Sequence, residues 1–139
     1  MQIQYWDHFI KKTKSSYVFI EKKLLKRFKV PNNTAITISE SSLRDVVERL
    51  FQKYGLTKTD SVLAADVLLS ADLRGVESHG VANLMPAYHQ SFSRGEINPK
   101  PHWKIQRETD ATAVIDCDGG HGIVMAPKAM DLAIDQAKN

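Results

Sequence analysis

The chain has 139 residues, enough for one small domain, and its 42% apolar and 25% charged residues are ordinary for a globular protein. No apolar run reaches the roughly 18 to 20 residues of a membrane-spanning helix, and no secretory signal pattern is present. The single cysteine, Cys117, cannot form an intramolecular disulfide, so these features together predict a cytoplasmic protein.

The net charge of +3 is unevenly distributed along the chain. Residues 1–30 carry +6 and the remainder carries −3, so nucleic-acid binding by the main body is not predicted. Residues 1–35 alternate apolar residues with lysines at roughly helical spacing, which is typical of a basic amphipathic helix for an anionic membrane surface or an acidic partner. A solvated helical arm, or translated upstream sequence without a role, has the same pattern. Residues 31–33 predict a linker.

Two helices are predicted after this basic extension. Thr37 and Glu40 form a capping-box pattern ahead of a first helix, which Gly55 is placed to end. Thr57 and Asp60 repeat the pattern ahead of a second helix, rich in Val, Leu and Ala, that runs to about residue 73 and is ended by the glycine at 75.

A third helix is predicted to end at Gly95 and to carry its apolar residues on one side. Proline is tolerated in the first turn of a helix, so Pro86 predicts that this helix begins near Ala82 or Asn83. The apolar side consists of Val81, Leu84, Met85, Tyr88 and Phe92.

The last third of the chain predicts a strand followed by a helix. Residues 98–101 contain two prolines and must be extended, Ala111–Asp116 is β-prone, and residues 118–122 form a glycine-rich turn. The chain then stops at Asn139 without a helix-ending glycine, which we interpret as an interruption. The predicted inner side of the final helix is Ala126, Met130, Ala133, Ile134 and Ala137.

Histidine is the residue whose ordinary pKa suits proton transfer near neutral pH, and the chain has five. His8, His89 and His102 are predicted to be surface residues. His121 lies in the glycine-rich turn, where it either faces a ligand or only tolerates unusual backbone angles.

His79 lies between Ser78 and Gly80, at the junction of the second and third helices, and junction loops often carry function. A neighbouring hydroxyl can fix the tautomer of an imidazole, and a neighbouring glycine allows a substrate to approach. Alternatively, Ser78 only caps the third helix. The sequence contains no GxGxxG fingerprint, P-loop, GxSxG elbow or metal-ligand spacing, so no metal site is predicted.

Residues 71–81, Ala-Asp-Leu-Arg-Gly-Val-Glu-Ser-His-Gly-Val, resemble the signature of the malate/L-lactate dehydrogenase-like oxidoreductases. This family includes ureidoglycolate dehydrogenase and diketogulonate reductase and is distinct from the Rossmann-fold lactate and malate dehydrogenases. The resemblance covers residues 38–139 and leaves the basic extension, residues 1–35, outside it. Further matches follow in the same order at Tyr88, residues 95–99, residues 115–116, residues 118–120, Gly122 and residues 129–130.

The resemblance implies hydride transfer between NAD or NADP and a small 2-keto or 2-hydroxy acid. It implies that His79 is the proton donor and acceptor and that Ser78 orients it, while an aspartate later in relatives completes the relay. Asn83 occupies a substrate-binding position that is arginine in many relatives, so either the substrate differs or another cation binds its carboxylate. The cofactor-binding residues of the family are expected mostly beyond Asn139, and a homodimer is expected for a full-length member.

The fold expected from the elements and the resemblance is α+β. A helical N-terminal portion would precede the first strand and helix of a larger mixed-sheet cofactor domain that is not a Rossmann fold. The chain is accordingly expected to be truncated and inactive alone. The alternatives are a non-catalytic helical interaction module with a basic N-terminal arm, or a degraded or incomplete gene product.

Overall fold

A computed structural model of the protein describes residues 36–138. The basic arm predicted for residues 1–35, including His8, lies outside the described residues. No helix within residues 36–138 is long and apolar enough to cross a membrane. The elements in chain order are α1 (Glu40–Lys53), α2 (Lys58–Leu73), a 3₁₀ turn (Glu77–His79), α3 (Val81–Ser93), β1 (Lys104–Glu108), β2 (Ala113–Asp116) and α4 (Gly122–Gln136).

The predicted α+β class is confirmed, because four helices accompany a small sheet in the described part of the chain. β1 and β2 pair antiparallel, with Lys104 opposite Asp116 and Glu108 opposite Ala113, and an irregularity interrupts the register between Ile105 and Arg107. The expectation of a single strand over residues 111–116 is therefore incomplete. β1 was missed because its sequence, Lys-Ile-Gln-Arg-Glu, is exposed at every position and shows no apolar alternation.

The caps of the first two helices test the capping-box predictions. Thr57 caps α2 as predicted, accepting the backbone N–H of Asp60 at 3.1 Å and donating its hydroxyl to the Asp60 carboxylate at 2.9 Å. The predicted cap at Thr37 is wrong, since Ser39 accepts the N–H of Ser42 at 3.1 Å. A side chain reaches only two or three residues ahead, so the serine nearest the first helical residue takes the role.

The predicted helix ends are confirmed, because glycines 55, 75 and 95 each follow the last residue of α1, α2 and α3 after one intervening residue and adopt the left-handed conformation. The predicted start of α3, near Ala82 or Asn83, is close to the observed one, but the expectation that Pro86 lies in the first turn is wrong. This helix begins at Val81 and contains Pro86 beyond its first turn, so Pro86 cannot donate a helical hydrogen bond to the carbonyl of Ala82. Pro86 is exposed, and its ring therefore displaces no core side chain.

The hydrophobic core centres on α2, which packs against α1 on one side and receives side chains from α3 and α4. Phe51 is fully buried and meets the ring of Phe92 edge-on at 6.4 Å between centroids. Each fully buried large apolar side chain contributes roughly 1.5–3 kcal/mol. The core residues are Val47, Phe51, Leu56, Ala64, Ala65, Leu68, Leu69, Met85 and Val124.

The inner side of α4 differs from the prediction. Val124 and Met125, in the first turn of α4, are buried, whereas Met130 and Ile134 are 60% and 45% exposed. Ala126, Ala133 and Ala137 are exposed as well. Helical periodicity groups residues that share a face, but it does not identify the neighbour that covers the face. Only the beginning of α4 reaches the core.

Candidate active site

The segment between α2 and α3 holds the predicted His79 and Ser78 on the surface. Both side chains are exposed, and the 3₁₀ turn is closed by the backbone N–H of His79 donating to the carbonyl of Val76 at 2.9 Å. The Ser78 hydroxyl lies 2.9 Å from Nδ1 of His79. The alternative that Ser78 caps α3 is wrong, because the N-cap residue of α3 is Gly80, which has no side chain to form a capping hydrogen bond.

The Ser78 hydroxyl can hold Nδ1 of His79 in both states of a proton transfer, because its oxygen accepts a hydrogen bond from a protonated ring nitrogen. When both ring nitrogens are protonated, the hydroxyl accepts from Nδ1 and the N–H of Nε2 can act as an acid. When it accepts from Nδ1, Nε2 of the neutral ring carries a lone pair and can act as a base. The arrangement thus suits a proton transfer that runs in either direction at Nε2 of His79.

Two side chains outside the 3₁₀ turn form hydrogen bonds with the backbone in the turn or directly after it. Asp72, in the last turn of α2, accepts the backbone N–H of Val81 at 2.9 Å. Asn83, in the first turn of α3, donates its amide to the carbonyl of Ser78 at 2.7 Å. The Asp72 contact was missed by sequence reasoning, because the two residues are nine positions apart and belong to different elements, and no local pattern pairs them.

Gly80 is buried, and its surroundings explain why it is glycine. If residue 80 had a Cβ, its three nearest neighbours would all be atoms of the Asp72 carboxylate, and the Cβ would overlap them. The expectation that the missing side chain of Gly80 leaves room for a substrate is therefore wrong, because the Asp72 carboxylate occupies the space that a Cβ would take.

His89 and His102 are exposed, as predicted. Nδ1 of His89 lies 2.9 Å from the hydroxyl of Tyr54, a contact that joins α1 to α3. His102 contributes its backbone N–H, which donates to the carboxylate of Asp118 at 2.9 Å. Neither ring is near a cluster of acidic or sulfur ligands, and no group of three metal-binding side chains occurs within residues 36–138.

His121 is the residue whose environment differs most from the expectation. It has an ordinary backbone φ of −66° and caps α4, where its Nδ1 accepts the backbone N–H of Ile123 at 3.2 Å. Its side chain is only 8% exposed and meets the rings of Tyr88, Phe92 and Phe51 at 4.2, 5.6 and 6.5 Å between centroids. Burial lowers the pKa of His121 and raises that of Tyr88. The interpretation as a turn histidine with unusual backbone angles is wrong.

The other nitrogen of His121, Nε2, is buried and has no hydrogen-bond partner within residues 36–138. His121 lines a small cavity of about 10 Å³, together with Asp60 and Asn98 among its polar residues. Such a volume holds about one water molecule and no organic ligand. His121 is therefore a core histidine that begins a helix, and the sequence signal for it is a potential cap residue directly before an apolar helical segment.

The glycine-rich turn before α4 is closely packed, and its residues occupy part of the helix N-terminus. The first N–H groups of a helix can bind a pyrophosphate only when they are unoccupied. Here His121 receives two of them, from Ile123 through Nδ1 and from Val124 through its carbonyl. At Gly120, a Cβ would lie within 3.0 Å of Pro101, the carbonyl of the cysteine and Met125, so the turn is closely packed.

Comparison with known proteins shows what this arrangement resembles. The sequence profile of the malate/L-lactate dehydrogenase family matches residues 38–139. The L-sulfolactate dehydrogenase of Methanocaldococcus jannaschii is 48% identical over 90 residues, 65% of this chain and 26% of that protein. The malate dehydrogenase of Pyrococcus abyssi is 42% identical over 103 residues, 74% of this chain and 28% of that protein.

The structure of malate dehydrogenase from Pyrococcus horikoshii superposes with a TM-score of 0.74 at 37% identity, covering 79% of this chain and 31% of that one. The chain thus spans between a quarter and a third of the length of these relatives. The matched segment contains the His79 turn and the helices on both sides of it.

Proposed function

Because the chain belongs to the malate/L-lactate dehydrogenase family, we propose that it supplies the proton-transfer residue of an oxidoreductase that interconverts a small 2-hydroxy acid and its 2-keto acid with NAD or NADP. His79 is the proton donor and acceptor, and Ser78 orients it. The observation that carries the proposal is the 2.9 Å contact between the Ser78 hydroxyl and Nδ1 of the exposed His79.

Reduction of a ketone adds a hydride to its carbon and a proton to its oxygen, and oxidation of the alcohol removes both. The described residues are proposed to transfer the proton, not the hydride. With Nδ1 of His79 engaged by Ser78, Nε2 is the nitrogen that exchanges a proton with the substrate oxygen. The hydroxyl of Ser78 can accept from a protonated Nδ1 both in the imidazolium and in the neutral ring, which supports action in both directions.

Asn83 is the proposed substrate contact in the described part of the chain. One of its two amide N–H groups is donated to the carbonyl of Ser78, so at most one is left for a substrate carboxylate. A single neutral donor binds a carboxylate more weakly than the paired donors of an arginine. The proposal therefore includes a further cation for the carboxylate, or a substrate in which a different group faces Asn83.

Residues 38–139 form the proposed N-terminal part of the oxidoreductase domain, with the basic extension outside it. We propose the cytoplasm as its compartment, consistent with a single half-buried cysteine that has no disulfide partner. A homodimer is the proposed assembly of a full-length member. Since the chain spans only between a quarter and a third of the length of these relatives, we expect the chain alone to show no turnover.

The first experiment assays the purified chain by nicotinamide absorbance with NADH or NADPH and pyruvate, oxaloacetate or glyoxylate. No oxidation above the rate without protein is expected. Robust oxidation would contradict the proposal that the chain is inactive alone.

The second experiment replaces the matched segment of the Pyrococcus horikoshii enzyme with residues 38–139 and assays the chimera. His79→Gln is expected to lower kcat by about 10²- to 10⁴-fold, the usual contribution of one general acid–base group. His89→Gln, on the exposed side of α3, is the matched control and should leave kcat within about twofold. Equal activity of the two variants would refute the role of His79.

A further inference from the structure

Asp72 is a half-buried residue at the end of α2, and both of its carboxylate oxygens lie close to the backbone at residues 80 and 81. Oδ2 accepts the backbone N–H of Val81 at 2.9 Å. Oδ1 lies in the space that a side chain at residue 80 would need, which a glycine leaves open. One carboxylate therefore joins the end of α2 to the beginning of α3 across the turn that carries His79.

The contact gives a backbone N–H at the start of α3 a hydrogen-bond acceptor. The first N–H groups of a helix have no partner within the helix, and the cap residue Gly80 has no side chain to bind them. Asp72 supplies an acceptor from another helix, and its negative charge is favourable at the positive end of the helix dipole. Val81 is two residues after His79, so the anchor lies directly beside the candidate catalytic turn.

The rest of the turn is bonded on both sides of this anchor. Before it, the backbone N–H groups of Gly75 and Val76 donate to carbonyls at the end of α2, at 3.0 and 2.8 Å. After it, Asn83 holds the carbonyl of Ser78. The backbone that presents the Ser78–His79 pair is thus bounded by α2 through Asp72 and by α3 through Asn83.

We propose that Asp72 is a positioning residue for His79, and that residue 80 is glycine because its missing Cβ admits the Asp72 carboxylate. The carboxylate sets the separation between the end of α2 and the start of α3, and with it the turn geometry in which the Ser78 hydroxyl meets Nδ1 of His79. Its consequence for catalysis rests on the proposed function, whereas the positioning itself does not.

The test uses NMR on the whole chain and requires neither substrate nor cofactor. Asp72→Ala is expected to reduce the hydrogen-exchange protection of the Val81 amide by about 10- to 100-fold, the loss expected for a hydrogen bond to a charged acceptor. The ring nitrogen shifts of His79, which report its tautomer, should move towards those of the exposed His102. Asp72→Asn retains an oxygen that can accept from Val81, so it should restore most of both signals.

The matched control is Asp66→Ala. Asp66 lies on the same helix and its carboxylate is paired with Arg44 at 2.7 Å, away from the turn, so neither His79 nor Val81 should respond. If Asp72→Ala only lowers the melting temperature and leaves the His79 ring shifts unchanged in the folded molecules, the residue is merely structural and the proposal is overturned.

Gly80→Ala gives an independent arm. Its methyl group would displace the carboxylate, so the variant should reproduce the His79 shift changes of Asp72→Ala. In the double variant the second change should add little, because the contact is already lost. Additive changes would show that the two residues act separately and would overturn the explanation for Gly80.

The outcomes for this proposal and for the proposed function are separable. A chimera that stays active with His79→Gln refutes the function while the NMR result for Asp72 stands. An unchanged His79 ring in Asp72→Ala refutes the positioning role while the catalytic test of His79 stands.

Discussion

His121, the buried N-cap residue of α4, is expected to make the free energy of unfolding depend on pH. His121 is neutral in the folded protein because its Nδ1 accepts the N–H of Ile123, which a protonated nitrogen cannot do. Tyr88, neutral at physiological pH, packs edge-on against the ring, and Asp60, which is paired with Lys128, lines the same small cavity as His121. No net charge on these neighbours compensates for a buried imidazolium.

Burial lowers the pKa of His121 in the folded state below its ordinary value of 6.5. Above about pH 6.5 the ring is neutral in both folded and unfolded chains, so its full contribution to stability is present. As the pH falls below 6.5, the unfolded chain takes up the proton first, and stability is lost until the lowered folded pKa is reached. Loss of the cap alone corresponds to about 0.5–2 kcal/mol.

The assay is thermal or urea unfolding of the wild type between pH 8 and pH 5, compared with His121→Asn and His121→Phe. A loss of about 1 kcal/mol corresponds to a drop in Tm of roughly 4–8 °C for a domain of this size. Asparagine keeps a cap and phenylalanine keeps a ring, and neither titrates, so both variants should lose the pH-dependent component. His89→Gln is the exposed control. Refutation would be a wild-type Tm that does not fall more steeply than that of the His121 variants in this pH range.

Three further changes test the arrangement of α2 and the candidate site. Thr57→Ala removes both hydrogen bonds to Asp60 and should lower the free energy of unfolding by about 0.5–2 kcal/mol in urea titrations; an unchanged midpoint would contradict the cap. Lys128→Met should cost about 1–3 kcal/mol, because the mostly buried carboxylate of Asp60 loses its 2.7 Å ion pair, and Lys128→Arg should recover part of this loss. Ser78→Ala should lower kcat of the chimera by about tenfold and shift its pH profile, because His79 loses the partner of Nδ1; Ser78→Thr should restore activity, and an unaltered profile would count against an orienting role.

Local sequence was a good guide to where helices end. The glycines after α1, α2 and α3 adopt the left-handed conformation that other residues rarely take, and the cap at Thr57 depends on atoms only three residues apart. The Ser78–His79 contact joins adjacent residues and was anticipated for the same reason. These features need no information about distant parts of the chain.

Features that depend on packing were misjudged. The apolar residues of α4 were grouped correctly as a helical pattern but assigned the wrong inner side, because only the apolar residues of its first turn are buried in the core. His121 was placed in a turn by its glycine neighbours, whereas three aromatic rings from α1 and α3 bury it. The residues next to His121 in the sequence do not indicate which aromatic rings of other helices pack against it.

The sequence by itself determined the helical segments, their glycine ends and the family, because each depends on residue types at short spacing, and it also indicated His79 as the candidate for proton transfer. Only the tertiary structure decided that Asp72 reaches the backbone beside His79, that Gly80 makes room for it, and that His121 belongs to the core. These contacts join residues from separate elements, and their distances are set by how the helices pack.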